Sequence, residues 1–170
     1  MQIFFDERTA VTLAETINRI TREHCENGGY LFGQNLAENH SLQGTIPVNV
    51  RNVCILPTTE SAGLGISLGS ALSGAPTIHV LRFGSFLALQ LAPLIYYANM
   101  AKDVWGYQIP LWVRVSNDDH LGPTHSGDFR QLAMSIPGSL HVVAPMCSVE
   151  YEEAWQQFQE TKEPFLVCEH

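Results

Sequence analysis

The chain has 170 residues, 45% of them hydrophobic, with nine Lys or Arg against seventeen Asp or Glu and a formal net charge of −8. A chain of this size suits one domain that buries roughly two-thirds of its unfolded surface, so a single domain over residues 1–170 is expected. The composition excludes a disordered chain, and the acidic balance without any Lys/Arg cluster excludes a nucleic-acid partner.

In chain order, Val11, Ala14, Ile17 and Ile20 share one helical face and predict an amphipathic helix over 9–25, closed by Gly28-Gly29. YLFGQNL at 30–36 predicts a buried strand closed by Gly33, and a polar, turn-rich tract at 37–52 leads to a second strand, 53–56, before Pro57. Leu64, Leu68, Ala71 and Leu72 predict a helix over 60–73 ended by Gly74. Within it, Gly65 and Gly69 are expected to let another backbone approach closely. A strand over 76–83, an apolar helix over 86–102 and a near-continuously apolar strand over 109–116 follow. Beyond the loop 117–128 come a helical patch, 129–136, a strand, 138–146, a helix, 148–161, and a last strand, 164–169.

Strands that alternate with helices predict an α/β fold, a mainly parallel sheet with helices on both faces, whose ligands sit beyond the carboxyl ends of the strands. The run 80–101 is apolar over a membrane-sized length. Arg82, Gln90, Pro93 and Asn99 interrupt it, which predicts a buried helix and no membrane span. Cys25, Cys54, Cys147 and Cys168 form no CxxC pair, so neither a zinc site nor a disulfide framework is signalled and a reducing compartment is expected. The N-terminus MQIFFDERTAV lacks the basic start and long apolar core of a signal peptide, which makes a cytoplasmic setting the expectation.

On a parallel sheet the loops after the strands share one edge. Glu60 follows the second strand, Phe83 and Phe86 the third, and Asp118, Asp119, His120 and His125 the fourth, so an acid, two aromatic rings and an imidazole are able to converge there. Each also has a plain structural explanation. A Glu at a helix start is favoured by the macrodipole, paired phenylalanines suit a core, and Asn, Asp and Gly favour turns. Ser126 beside His125 has no GxSxG elbow, which argues against a serine hydrolase. The run GLGISLG at 63–69 lacks both the Lys-Ser/Thr ending and the GxGxxG spacing of a phosphate cradle.

The ordered strings PTTESAGLGISLGSALSG (57–74), RFGSF (82–86), LWVRVS (111–116), GPTHSGDF (122–129) and PGSLHVVAP (137–145) resemble the pyrimidine-binding domain of transketolase-like, thiamine diphosphate-dependent enzymes. The likeness runs from about Tyr30 to the end and is strongest to the beta subunits of 2-oxo acid dehydrogenase decarboxylase components and to the matching domain of transketolases. It implies that Glu60 hydrogen-bonds a ring nitrogen of the cofactor's pyrimidine and favours its imino tautomer. It implies that Phe86, with Phe83 as second choice, walls the ring, and that His125 faces substrate oxygens. A carboxylate among small, water-excluding residues is chemically suited to share a proton with a weakly basic ring.

The same likeness implies thiamine diphosphate as cofactor, with Mg²⁺ held by ligands on a partner chain, because no GDG motif occurs in this sequence. The diphosphate-binding and C-terminal domains of such enzymes have no counterpart in it. A homo- or hetero-oligomer with a diphosphate-binding subunit and a small-molecule substrate is therefore expected, the isolated chain being inactive. The apolar helix 86–102 with Tyr96-Tyr97 is candidate interface material, and equally a plain core helix. The implied chemistry is decarboxylation with acyl transfer, or ketol transfer, on 2-oxo acids or ketose phosphates. The alternative is a non-catalytic assembly or regulatory domain that retains the fold.

Overall fold

The computed structural model describes residues 11–36, 41–116, 122, 125 and 127–169. Six strands, β1 (Tyr30–Gly33), β2 (Val53–Ile55), β3 (Thr77–Leu81), β4 (Leu111–Ser116), β5 (His141–Val143) and β6 (Phe165–Glu169), form one sheet in the order β2-β1-β3-β4-β6-β5. Every pairing is parallel, as the alternation predicts. The chain steps from β1 outward to β2 and then back past β1 to β3. Such a reversal leaves a crevice above the carboxyl ends of β1 and β3, where ligands of open α/β sheets bind.

Helices α1 (Leu13–Glu26), α2 (Glu60–Leu72), α3 (Leu87–Pro93), α4 (Ala101–Trp105), α5 (Arg130–Met134) and α6 (Ser148–Thr161) cover the sheet. Alternate residues of β4 face two separate cores, as period-two geometry requires. Leu111, Val113 and Val115 join Leu64 and Leu68 of α2 and Leu87 of α3 in one cluster. Trp112 joins Ile17 and Ile20 of α1 and Tyr151 and Phe158 of α6 in the other.

Helix α1 opens with a capping box between Thr12 and Glu15 that satisfies two otherwise orphaned donors. Its expected face is only partly right. Ile17 and Ile20 are buried, but Val11 precedes the cap and is 59% exposed. In α2 the expected face holds for Leu64, Leu68 and Ala71, whereas Leu72 points outward at the helix end. The close approach is not at Gly65 or Gly69, both of which have open space where a Cβ would lie. It is at Gly63, where a Cβ would meet Leu56 Cδ1 at 3.3 Å and His79 Cε1 at 3.7 Å.

The apolar helix is broken rather than continuous. A 3-10 turn at Gly84–Phe86 leads into α3, a π-helical stretch follows at Leu94–Asn99, and α4 ends at Gly106 in the left-handed conformation. Pro93 has no N–H to offer the turn before it, a common origin of such distortion. At the far end of the π stretch, the Asn99 side chain donates to Pro137 O (3.0 Å) and accepts from Leu140 N–H (2.8 Å), which fixes the entry to β5. A side chain at Gly138 would collide with Asn99.

In the second core Arg114 is completely buried. Its Nε and Nη2 donate to the two carboxylate oxygens of Glu169 at 2.7 and 2.9 Å, and Nη2 also donates to Thr45 Oγ1 at 2.8 Å. Tyr151 O–H donates to Glu169 Oε1 at 3.1 Å. Burial works against the charge, but Glu169 raises the guanidinium pKa well above its ordinary value. Arg114→Met is expected to destabilise the fold by about 3–5 kcal/mol because it strands Glu169 without its partner. Urea unfolding measures this, and Arg114→Met combined with Glu169→Leu is expected to recover much of the loss.

Two buried histidines make the fold acid-sensitive. Burial pushes His24, whose Nε2 lies 3.2 Å from Tyr30 O, and His79 down from 6.5 to about 4. Since the folded-state value lies below the unfolded one, their contribution is complete above pH 6.5 and is lost as pH falls toward 4, up to roughly 3 kcal/mol for each. Melting temperatures followed by circular dichroism are expected to be flat in pH above 6.5 and to fall steadily below it.

Candidate functional site

Glu60 is the first residue of α2, which starts five residues after β2 ends. Its carboxylate lies at the positive end of the helix dipole, half-buried rather than in bulk water. It lines one pocket with Gln34, just past β1, with Val80, Leu81 and Arg82 at the end of β3, and with Phe86 and Gln90. This is the crevice that the reversal in strand order creates.

Phe83, Phe86 and His125 form an aromatic triangle beside Glu60. The two phenylalanines meet edge to face with ring centres 5.3 Å apart, and the His125 ring lies 4.5 Å from Phe83 and 5.6 Å from Phe86. Rings at these separations attract through their quadrupoles as well as by burial. The Arg82 guanidinium carbon sits 5.8 Å from the centre of the Phe83 ring. A turn in which His125 N–H donates to Gly122 O (3.2 Å) presents the imidazole. Gly127 sits against Phe129 and Ser85, where a Cβ would lie 3.2 Å from Phe129 Cε2 and 3.4 Å from Ser85 Cα. Among the sequence-derived candidates, Glu60, Phe86, Phe83 and His125 are thus neighbours, with Phe86 joining pocket and triangle. Asp118, Asp119, His120 and Ser126 lie outside the described residues.

The helix distortion at Pro93 bears on the site. The carbonyl of Leu89, four residues before the proline, accepts instead from Ser61 Oγ at 2.8 Å. A freed helix carbonyl is thereby satisfied by the residue next to Glu60, and α3 is tied to the start of α2. Beneath Glu60, the His79 imidazole is buried with Nδ1 at 2.7 Å from Ser67 Oγ. Sequence reasoning missed His79 and read Gln90 only as an interruption of an apolar run. The available signal was the same in both cases, a polar residue inside an otherwise apolar segment.

The sequence matches the family described as transketolase, pyrimidine binding domain, over residues 25–170. The chain belongs to that family. Its members are pyrimidine-binding domains of thiamine diphosphate-dependent enzymes. No curated protein matches the sequence. The fold of this pyrimidine-binding domain is shared with a solved transketolase from Campylobacter jejuni, at a TM-score of 0.74 and 17% identity over 94% of this chain. It is also shared with a structure described as a split gene transketolase, inactive beta4 tetramer, at a TM-score of 0.71 and 10% identity over 94% of this chain. The chain spans 26% of the former and 51% of the latter.

The residues present suit one end of the family's cofactor. A flat, weakly basic ring calls for an aromatic wall and a carboxyl group, and Phe86 and Glu60 line the same pocket. For the diphosphate end, no group of three or more His, Cys, Asp or Glu able to hold a metal occurs among the described residues. Nor, among them, is any helix long and apolar enough to cross a membrane. Ser61→Ala is expected to lower stability by about 0.5–1.5 kcal/mol, the usual worth of one hydrogen bond. Chemical denaturation measures it, and the local loosening is expected to appear as faster amide exchange at the start of α2.

Proposed function

We propose that the chain is the pyrimidine-binding half of a thiamine diphosphate-dependent enzyme acting on 2-oxo acids or ketose phosphates, completed by a partner chain that carries the diphosphate and Mg²⁺ ligands. The observation that supports it most is the single pocket lined by both Glu60 and Phe86, adjoining Phe83 and His125. When bound, the cofactor supplies an electron sink for carbanion chemistry. In this reading Glu60 shares a proton with a pyrimidine ring nitrogen, Phe86 and Phe83 give the ring an apolar wall that excludes water, and the His125 imidazole exchanges hydrogen bonds with substrate oxygens. Residues 1–170 act as one domain.

Two observations favour a partner. Leu89, Tyr96, Tyr97, Trp105 and Tyr107 are each at least half exposed along and just after the interrupted helix, with Tyr97 and Trp105 stacked 6.4 Å apart. Exposed apolar surface of this kind suits association. A split gene transketolase whose solved assembly is described as an inactive beta4 tetramer shares the fold, which fits a chain that is inactive alone. The same tetramer also fits the second reading, an assembly or regulatory module without catalysis.

Isothermal titration with thiamine diphosphate and Mg²⁺ separates the two, performed on the chain alone and on its complex with a co-expressed diphosphate-binding subunit. Binding heat only in the complex supports the split enzyme, and none in either case supports the module. In the active complex, Glu60→Gln is expected to cut turnover by about 10²- to 10⁴-fold while leaving the melting temperature unchanged. Full turnover in that variant would refute the role of Glu60.

A further inference from the structure

The crevice that Glu60 lines also holds a cation, Arg82, and the two form no ion pair with each other. Most cations among the described residues are neutralised by an acid: Arg19 by Glu23 and Glu152, Lys102 by Glu163, Arg114 by Glu169 and Arg130 by Asp128. Arg82 has neither an acidic partner nor a side-chain hydrogen bond among them. Arg51 and Lys162 also lack an acidic partner there, but neither lines this crevice. Arg82 is held instead by Phe83, whose ring centre lies 5.8 Å from its guanidinium carbon. A guanidinium attracted to an aromatic face keeps its N–H fork free for another partner. Gln34, across the paired strands β1 and β3, lines the same crevice with a side-chain amide that likewise has no hydrogen-bond partner among the described residues. A free guanidinium fork beside a free amide is a donor set suited to the oxygens of a carboxylate or phosphate.

We propose that Arg82, assisted by Gln34, binds the anionic group of the substrate, a carboxylate or a phosphate, and makes the enzyme selective for substrates that carry one. The inference rests on the reading above, in which a partner closes the crevice and His125 meets substrate oxygens. His125 packs on the same Phe83 ring, with centres 4.5 Å apart, so a substrate lying along Phe83 offers its reacting oxygen to the imidazole and its charged group to the guanidinium. Closure reinforces the selection. A guanidinium taken out of water without a counter-charge is strongly unfavourable, so covering the crevice favours a ligand that brings the anion with it. Glu60 and Arg82 then have separate tasks in one crevice, the acid for the ring and the cation for the substrate.

The chain alone tests the subsite, by nuclear magnetic resonance of its arginine Nε–H groups during titration with inorganic phosphate and, separately, with acetate. A saturable shift of the Arg82 resonance, weakened by added salt and absent in Arg82→Gln at an unchanged melting temperature, is expected with at least one anion. No saturable shift with either would overturn the proposal. Kinetics of the partner-completed complex then test its use, with fructose 6-phosphate against fructose and pyruvate against its methyl ester. Arg82→Gln is expected to raise KM about 10- to 100-fold for a charged substrate, to leave its uncharged counterpart unaffected, and to be partly rescued by Arg82→Lys. A loss confined to fructose 6-phosphate assigns a phosphate, and one confined to pyruvate a carboxylate. Equal losses on charged and uncharged substrates, or a weakened affinity for thiamine diphosphate itself, would overturn the proposal. Should the wild-type complex bind no thiamine diphosphate, the functional reading fails, and the anion titration of the chain still decides the subsite.

Discussion

The ion pair of Arg114 and Glu169 is the constraint around which one whole side of the molecule is arranged. A guanidinium in the middle of a central strand has five N–H donors to satisfy and no water to satisfy them. Glu169 of β6 meets it in a bidentate fork, Thr45 supplies a second acceptor, and Tyr151 of α6 braces the carboxylate. An adjacent strand, an inter-strand turn and the last helix must therefore come together in one arrangement. Apolar packing tolerates small slips of register, while a fork of fixed geometry does not. The carboxyl end of β4, from which the chain runs on toward His125, is held by that fork.

The opposite side of the sheet carries the candidate site and is built differently. Its packing around Leu64, Leu68, Leu87 and Leu94 is apolar, but a vein of polar groups is set into it, with Ser67 bonded to His79 and His79, Gln90 and Glu60 lining one pocket. Pro93 ties this vein to the backbone. By denying Leu89 its helical partner it frees a carbonyl, and the group that satisfies it comes from the residue beside Glu60. A local defect in one helix thus becomes the clamp that sets where another helix begins.

The architecture was legible in the sequence because buried parallel strands read as short apolar runs and the helices between them carry a 3.6-residue period. Ser148–Thr161 was readable to the residue. Strands at the margins shrank, β5 to His141–Val143, since apolar flanks do not reveal where pairing stops. The two α2 glycines, Gly65 and Gly69, were misread because composition shows that a helix has small residues but not which way they face. The actual contact, Gly63 against His79, depends on a strand that sequence spacing cannot align. The break at 94–99 was equally hidden, for its cause is a missing N–H whose effect is tertiary. At the site, Glu60, Phe83, Phe86 and His125 could be grouped from strand order alone, whereas the polar floor required knowing which faces of β3 and α3 meet.

The strand order carries a last consequence for how this molecule associates. Its two outermost strands, β2 and β5, are the shortest, at three residues each, so the unpaired rim available to a foreign strand is only about 10 Å long on either side. Long exposed rims invite uncontrolled sheet extension and fibrous aggregation. A protein with clipped rims can leave tyrosine and tryptophan side chains facing water with less risk, because a neighbour has to recognise shapes rather than merely add another strand.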